Sequence, residues 1–243
     1  MNAINYLMVD QKKNSGVTAA GRRARPMVER FWWHGRPVCL YLIPAAWTQS
    51  KRLPLLIRKM GLSREEDSNS GEGMFWTAPE LEDCLPGVGQ PLPDPSLAAF
   101  LLREQPFREI LVLLTDEKEE GRKDWWQEDF LRECFGELNG LYLTGVREKE
   151  RDASFFDWMY GESGLLACFS DRLPVTDGRK TAVVDLRRKK RPPVRELAFG
   201  SLYLDLTSET EKQRLLREKR TDISYISARN YLDTAFKARY NAF

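Results

Sequence analysis

Residues 110–114 read Ile-Leu-Val-Leu-Leu, and this short apolar run decides the fold class. Polar residues follow it at once, beginning with Thr115 and Asp116. A strand that is covered on both faces needs near-continuous apolarity, whereas a half-exposed strand alternates apolar and polar residues. The run therefore predicts a buried strand in a mostly parallel sheet.

Five other short apolar runs have the same character, because turn or charged residues bound each of them. They are residues 38–43 (VCLYLI), 141–143 (LYL), 165–169 (LLACF), 182–186 (AVVDL) and 202–206 (LYLDL). Between several of these runs, apolar residues recur at spacings of three and four, as in amphipathic helices. These helical patterns cover residues 96–107, 123–138 and 148–160. The alternation predicts a doubly wound, Rossmann-like α/β fold with about six mostly parallel strands and flanking helices.

The length fits one large domain or two small ones, and we predict a single α/β domain over residues 1–243. The chain has 42% hydrophobic residues with 12 Phe, 8 Tyr and 7 Trp, which excludes a disordered or low-complexity chain. Residues 14–26 are polar and Arg-rich and predict a surface arm, while the many Gly and Pro residues of 62–95 predict a loop-rich insertion. Within that insertion, residues 74–76 (MFW) are the apolar anchor.

Residues 208–243 predict a C-terminal pair of helices, the second starting after a cap at Thr221-Asp222. An apolar stripe at spacings of four, four and three predicts the buried face of the second helix. It consists of Leu232, Phe236, Tyr240 and Phe243. A second row at spacings of four predicts an exposed ladder of ion pairs. It consists of Arg229, Asp233 and Lys237.

The first 13 residues lack the basic segment, apolar core and cleavage site of a secretory signal. No apolar run approaches the roughly 20 residues that a membrane-spanning helix needs. The four cysteines lie 34 to 50 residues apart, so no CxxC pair is available for zinc or redox chemistry. These features predict a soluble cytoplasmic protein with reduced thiols.

Charge is distributed in blocks, although the net charge is only +2. Residues 1–60 carry 11 basic and 2 acidic side chains, residues 61–171 carry 10 and 25, and residues 172–243 carry 17 and 9. Two interpretations stay open: the blocks neutralise one another in the folded sheet, or a basic surface binds a phosphate-rich partner.

The sharpest local feature is a run of five cations that ends before Pro192 and Pro193. It consists of Arg187, Arg188, Lys189, Lys190 and Arg191. Repulsion among the cations and the two prolines predict an exposed connection between strands. The run is a candidate contact for an anionic ligand or a nucleic acid.

The adjacent pair Trp32-Trp33 lies elsewhere in the chain, and adjacent residues of a strand point to opposite faces, so we expect one buried and one surface ring.

Polar residues recur where the predicted strands end. Four aspartates stand at these positions: Asp116, Asp171, Asp185 and Asp205. Because the carboxyl ends of parallel strands meet at one edge, converging carboxylates there would suit Mg²⁺, which prefers oxygen ligands. Asp and Thr also cap helices and form turns, which explains Asp116 and Asp171 equally well. Asp185 and Asp205 lie inside apolar runs, where an unpaired carboxylate is costly.

Other catalytic templates find little support. His34 is the sole histidine, so any Ser-His-Asp or Cys-His scheme would depend on it, and no GxSxG context occurs. Neither the GxGxxG fingerprint of dinucleotide binding nor the GxxxxGK[ST] loop is present. The sequence therefore predicts a binding protein for a protein partner or an anionic small ligand, and leaves open whether it is an enzyme. The alternatives are a Mg²⁺-dependent phosphoryl hydrolase or transferase that uses the four aspartates, and nucleic-acid binding through residues 187–191.

Overall fold

A computed structural model describes most of the chain and divides it into two compact units. Unit 1 comprises Met1–Leu92 and Leu232–Phe243, and unit 2 comprises Pro93–Tyr231. The described residues are 4–10, 26–48, 53, 57, 75–81, 85, 95–106, 108–115, 130–132, 134, 138–145, 153–187, 190–207 and 210–242. The assignment of residues 1–243 to a single domain stays a prediction.

Unit 1 contains a four-stranded mixed sheet. Its strands are β1 (Ile4–Asp10), β2 (Met27–Trp33), β3 (Arg36–Pro44) and β4 (Phe75–Thr77), and the short helix α1 (Ala45–Thr48) follows β3. The order is β2-β3-β1-β4, with β1 parallel to both β3 and β4. The strands β2 and β3 form an antiparallel hairpin. Its turn places His34 and Gly35 at φ values of 46° and 73°, in the left-handed region.

Unit 2 contains a six-stranded sheet in which every neighbouring pair is parallel. Its strands are β5 (Ile110–Leu114), β6 (Gly140–Thr144), β7 (Ala167–Ser170), β8 (Thr181–Asp185), β9 (Leu202–Asp205) and β10 (Ser224–Ser227). Among the described residues, four helices with defined bounds begin in this unit: α2 (Pro95–Arg103), α3 (Ala153–Ser163), α4 (Thr210–Lys219) and α5 (Ala228–Asn241), the last of which continues into unit 1. Residues 130–132 and 134 are helical as well.

The strand order confirms the predicted doubly wound, Rossmann-like α/β fold. The order is β10-β9-β8-β5-β6-β7, so the chain builds outward from β5 through β6 to β7 and then returns to β8 on the other side. Counted from β5, this is the order 3-2-1-4-5-6 of doubly wound sheets. All residues of β8 and β9 are buried, as continuous apolar strands in the middle of such a sheet require. The order reverses between β5 and β8.

The prediction that run 38–43 belongs to the same sheet is wrong. That run lies in β3, in the other unit, where it pairs with the hairpin strand β2 and with the N-terminal strand β1. The sixth place of the parallel sheet is taken by β10, which pairs with β9. Its sequence, Ser-Tyr-Ile-Ser, is half polar because an edge strand is only partly covered, and it therefore lacks the apolar signal.

The C-terminal helix pair is confirmed in part. Both helices exist, but β10 separates them, and the second helix begins at Ala228 and not after Asp222. The buried stripe is confirmed for Leu232, Phe236 and Tyr240, while Phe243 lies outside the described residues.

The prediction of an exposed ladder of ion pairs on the same helix is wrong for two of its three members. Arg229 and Asp233 are buried, and Asp233 accepts a hydrogen bond from the Tyr6 hydroxyl at 2.9 Å. The third member, Lys237, bonds to Asp233 at 2.9 Å and to Glu80 at 3.1 Å. The row faces protein as well as solvent because α5 packs on β1.

The predicted insertion contributes a strand to the sheet of unit 1. Phe75 and Trp76 of its apolar anchor lie in β4, an edge strand beside β1, and Trp76 is buried there, while Met74 lies outside the described residues. The predicted surface arm at 14–26 lies outside the described residues except for Pro26, as does most of the insertion. Among the helices that the structure describes, none is long and apolar enough to cross a membrane.

Candidate functional site at the carboxyl edge of the parallel sheet

Two buried aspartates end neighbouring strands of the parallel sheet. Asp185 is the last residue of β8 and Asp205 the last residue of β9, and the two are paired in register. Neither is accessible to solvent. The structure brings these two of the four predicted aspartates together at one edge, and their burial requires compensating charges or hydrogen bonds.

Two cations compensate these carboxylates. Arg187 forms a two-pronged ion pair with Asp185, with Nε at 2.9 Å from Oδ1 and Nη2 at 3.2 Å from Oδ2. The Lys212 ammonium, carried by α4 and almost fully buried, lies 3.3 Å from Asp185 Oδ2 and 3.8 Å from Asp205 Oδ1. The position between the two carboxylates is thus occupied by an ammonium group, and the four formal charges balance.

Hydroxyl groups satisfy the remaining carboxylate oxygens. Tyr203 donates to Asp185 Oδ2, and Tyr225 donates to Asp205 Oδ2 at 3.0 Å. The two phenol rings stack with centroids 6.1 Å apart. Thr207 donates to Asp205 Oδ1 from both its hydroxyl, at 2.7 Å, and its backbone N–H, at 3.0 Å. We call these seven residues the edge network: Asp185, Arg187, Tyr203, Asp205, Thr207, Lys212 and Tyr225.

Burial sets the direction of the pKa shifts of Asp205, Tyr203 and Tyr225 in the edge network. It raises the pKa of Asp205, against the opposing effects of Lys212 and of the Thr207 hydrogen bond. Burial also raises the pKa of Tyr203 and of Tyr225, and the neighbouring carboxylates add to the effect. Both tyrosines therefore stay protonated and act as hydrogen-bond donors.

The backbone around Arg187 is held by the same network. Its N–H donates to Asp185 Oδ1 at 3.0 Å, and its carbonyl accepts a hydrogen bond from the Lys212 ammonium. Its Nη2 also lies 3.5 Å from the carbonyl oxygen of Arg191, at the other end of the basic run. The edge network thus ties the two ends of the run to the carboxyl end of β8.

The other predicted aspartates do not join this pair in the described structure. Asp171 is exposed after β7, three strand positions from β8, which is about 14 Å at the usual strand spacing. One Mg²⁺ binds its ligands at about 2.1 Å and cannot bridge that gap. Asp116 lies outside the described residues. Within the described ranges, no group of three or more His, Cys, Asp or Glu side chains is placed to share a metal ion.

The basic run is described in part. Lys190 and Arg191 are exposed, whereas Arg188 and Lys189 lie outside the described residues. Arg187 is largely buried because it pairs with Asp185. Its pKa is nevertheless raised, since burial disfavours the charge but the hydrogen bonds and the attraction of Asp185 outweigh that effect.

The strand order reverses between β5 and β8, and we call this point the switch. On its other side, the strands β5 and β6 lead into two buried threonines. Thr115 Oγ1 donates to the Thr144 carbonyl at 2.8 Å, and Thr144 Oγ1 donates to the Leu113 carbonyl at 3.2 Å. Gly145 follows with φ of 79°, and a Cβ there would lie 2.3 Å from the Thr115 carbonyl oxygen. The backbones after β5 and β6 can approach this closely only because residue 145 is glycine.

Sequence reasoning missed three members of the edge network. Tyr203 and Tyr225 look like ordinary apolar strand residues, and Lys212 stands in the charged stretch Glu-Lys-Gln-Arg of α4. The available signal was indirect: a carboxylate inside each of two apolar runs requires a buried donor or cation, but does not say which one.

The fold and the site define a doubly wound α/β protein with a neutralised charge network beneath the carboxyl edge of its parallel sheet. Comparison with protein-family models, with curated proteins and with solved structures finds no match to this chain.

Proposed function

We propose that unit 2 binds an anionic small ligand at the carboxyl edge of its six-stranded sheet, beside the switch between β5 and β8. Ligands of open parallel sheets bind outside the carboxyl ends of the strands, where the strand order reverses. The observation that carries the proposal is the place of the basic run. The run begins at Arg187, two residues after β8 ends, and β8 is the strand next to β5.

The edge network and the exposed cations have different tasks in this proposal. Arg187 and Lys212 neutralise Asp185 and Asp205, so they fix the edge and do not contact the ligand. Lys190 and Arg191 are exposed and are the described members of the run that a ligand can reach. The edge network holds both ends of the run at the carboxyl end of β8, so these cations lie near the switch. Because they are already held there, less conformational entropy is lost when a ligand binds.

The proposal is tested by thermal unfolding of the full chain with inorganic pyrophosphate as the probe. A ligand that binds only the native state stabilises it by mass action, by about 2.7 kcal/mol at 100 times its Kd. We expect a rise in Tm of about 5 to 10 °C, at roughly 2 to 4 °C per kcal/mol. The double variant K190Q/R191Q should abolish most of that rise.

The matched control is the double variant R217Q/K219Q. It removes the same charge from the last turn of α4, which leads to the amino end of β10 at the opposite edge of the sheet. The control should keep the wild-type response. An equal loss in both double variants, or no response of the wild type to pyrophosphate, would overturn the proposal.

Three other predicted functions stay predictions: the Mg²⁺-dependent enzyme, a protein partner, and nucleic-acid binding through residues 187–191. The Mg²⁺-dependent phosphoryl enzyme, with Asp185 and Asp205 as the acids that lie together, predicts that MgCl₂ alone raises Tm and that D205N abolishes this rise. The occupied position between the two carboxylates favours the opposite result, since Mg²⁺ would have to displace Lys212. A protein partner at the same edge would bind K190Q/R191Q less tightly than the wild type, while pyrophosphate would leave the Tm of the wild type unchanged.

A further inference from the structure

One face of the hairpin of β2 and β3 is open to solvent along β2, whereas on β3 the same face is partly covered, because Tyr41 packs against the hydrophobic core of unit 1. Three directly opposed pairs share this face: Val28 with Tyr41, Arg30 with Cys39, and Trp32 with Pro37. Trp32 is 71% exposed and Val28 46%, and Arg30 is exposed as well. We call the four residues Val28, Arg30, Trp32 and Tyr41 the hairpin platform.

The opposite face of the same hairpin is covered at Phe31 and Trp33, whereas Met27 and Glu29 of that face are exposed. Phe31 and Trp33 make edge-to-face contacts with Phe236 of α5, at centroid distances of 5.7 and 5.4 Å. The adjacent tryptophans therefore divide as the sequence predicted, with Trp33 packed against the helix and Trp32 on the surface. A tryptophan is the largest apolar side chain, and one exposed to this degree has most of its ring available for a ligand.

The hairpin platform carries a cation and no anion. Arg30 is a diagonal neighbour of Tyr41 across the two strands, because Arg30 stands opposite Cys39 and Val28 stands opposite Tyr41. Burial raises the pKa of Tyr41, Cys39 adds to this, and Arg30 opposes it. Along β2, Arg30 and Trp32 are two residues apart, about 7 Å. Arg30 is the charged member of the platform, while the exposed Glu29 lies on the other face of β2. The charge is complementary to a polyanion.

We propose that the hairpin platform binds single-stranded nucleic acid, with a base stacked on Trp32 and the backbone phosphate held by Arg30. Unpaired bases stack on exposed aromatic rings whatever their sequence, and a nearby cation neutralises the phosphate. Duplexes keep their bases stacked inside the helix and offer no ring to Trp32. The platform thus selects a polyanion that has free bases, independently of the anion site in unit 2.

Fluorescence anisotropy of a fluorescein-labelled dT12 oligonucleotide, titrated with the full chain in 50 mM NaCl, tests the proposal. Trp32→Ala should weaken binding about 5- to 150-fold, the effect of losing one stacked base. Arg30→Gln should weaken it and reduce its salt dependence. The matched control is Phe199→Ala, since Phe199 is 70% exposed but lies before β9 in unit 2. This control should bind dT12 like the wild type.

Two further probes separate stacking from simple charge attraction. An abasic oligonucleotide of the same length keeps the phosphates and lacks the bases, so Trp32→Ala should leave its affinity unchanged. A duplex of the same length should behave likewise.

Several results would overturn the proposal. Trp32→Ala and Phe199→Ala could bind dT12 equally well, or the wild type could fail to bind it. K190Q/R191Q could abolish dT12 binding while Trp32→Ala has no effect, which would assign nucleic-acid binding to the basic run. Trp32→Ala could instead convert a dimer into a monomer in light scattering without changing dT12 affinity, which would identify the platform as a contact between copies of this chain.

Discussion

The two edges of the parallel sheet in unit 2 each contain an arginine bonded to an aspartate two residues away, and the two pairs differ in their surroundings. At the carboxyl edge, Asp185 and Arg187 lie in the buried edge network. At the amino edge, Arg220 bonds to Asp222 at 2.8 Å through both Nε and Nη2, and both side chains keep some exposure to solvent. Similar chemistry is thus placed in a dry and in a wet environment within one domain.

The amino-edge pair clamps the chain before two strands. Arg220 Nη1 donates to the carbonyls of Val194 and Leu197 at 2.6 and 2.8 Å, and Asp222 accepts from the Gly200 N–H at 3.3 Å. The hydrogen bond from Arg220 lowers the pKa of Asp222 to about 2, whereas burial raises the pKa of Asp205 at the other edge. The bond to arginine therefore makes Asp222 more acidic, burial makes Asp205 less acidic, and solvent access sets the cost of removing the partner of each carboxylate.

The largest expected effect follows from removing the shared ammonium of the edge network. Lys212→Met should lower the free energy of unfolding by about 3 to 5 kcal/mol, because it leaves two buried carboxylates without their common cation. Urea denaturation of the full chain measures this. Lys219→Met, on the exposed end of the same helix, is the control and should change stability by less than about 0.5 kcal/mol.

The double variant Lys212→Met/Asp205→Asn should recover part of the loss, since it removes the one negative charge that the loss of Lys212 leaves uncompensated. A loss below about 1 kcal/mol in Lys212→Met would contradict the description of the edge network as a dry, neutralised cluster.

A smaller loss is expected at the amino edge. Arg220→Met removes the hydrogen bonds to two carbonyls and to Asp222, yet water can reach the groups left behind, so we expect a loss of about 1 to 2 kcal/mol. The control is Arg214→Met, whose ion pair with Glu218 is a fully exposed pair on a helix surface. That control should lose no more than about 0.5 kcal/mol in the same urea titration. Equal losses in the two variants would show that the clamp contributes no more than a surface ion pair.

The smallest expected effect is the pH dependence of stability, which should have opposite directions at the two edges. The folded pKa of Asp222 lies below its ordinary value, so its ionised form adds stability above about pH 4. That contribution is lost as the pH falls toward 2. The stability difference between the wild type and Asp222→Asn should therefore shrink between pH 4 and pH 2, as measured by urea unfolding at stepped pH.

Asp205 should show the opposite sign. Its folded pKa is raised, so protonation favours the folded state, and the wild type should gain stability relative to Asp205→Asn as the pH falls through the raised pKa toward 3.8. If both differences changed in the same direction, the contrast between the dry and the wet edge would be wrong.

The fold class could be predicted from the sequence because the interior strands carry their own signal. The run ILVLL and the two runs that end near Asp185 and Asp205 are apolar on both faces, and that pattern is typical of a strand covered by helices. The meeting of Asp185 and Asp205 followed from the same reasoning, since parallel strands end at one edge. The edge strand β10 was missed because an edge strand is half exposed and needs no apolar run.

The division of the strands between two sheets could not be predicted in this way. Residues 38–43 are as apolar as the runs of the parallel sheet, and they belong to the sheet of unit 1 because they pair with β1 and β2. Apolarity reports that a strand is covered, but it does not name the neighbour that pairs with it.

The sequence by itself determined that this chain forms covered parallel strands with carboxylates at their ends, and that a basic run follows one of them. These properties depend on the types and order of neighbouring residues, which the chain carries before it folds. Only the tertiary structure decided that Lys212, Tyr203 and Tyr225 neutralise those carboxylates and that Trp32 stays in solvent. Each of these outcomes depends on groups that lie far apart in sequence and meet only when strands and helices pack, and electrostatic and hydrophobic free energies depend on that distance and burial.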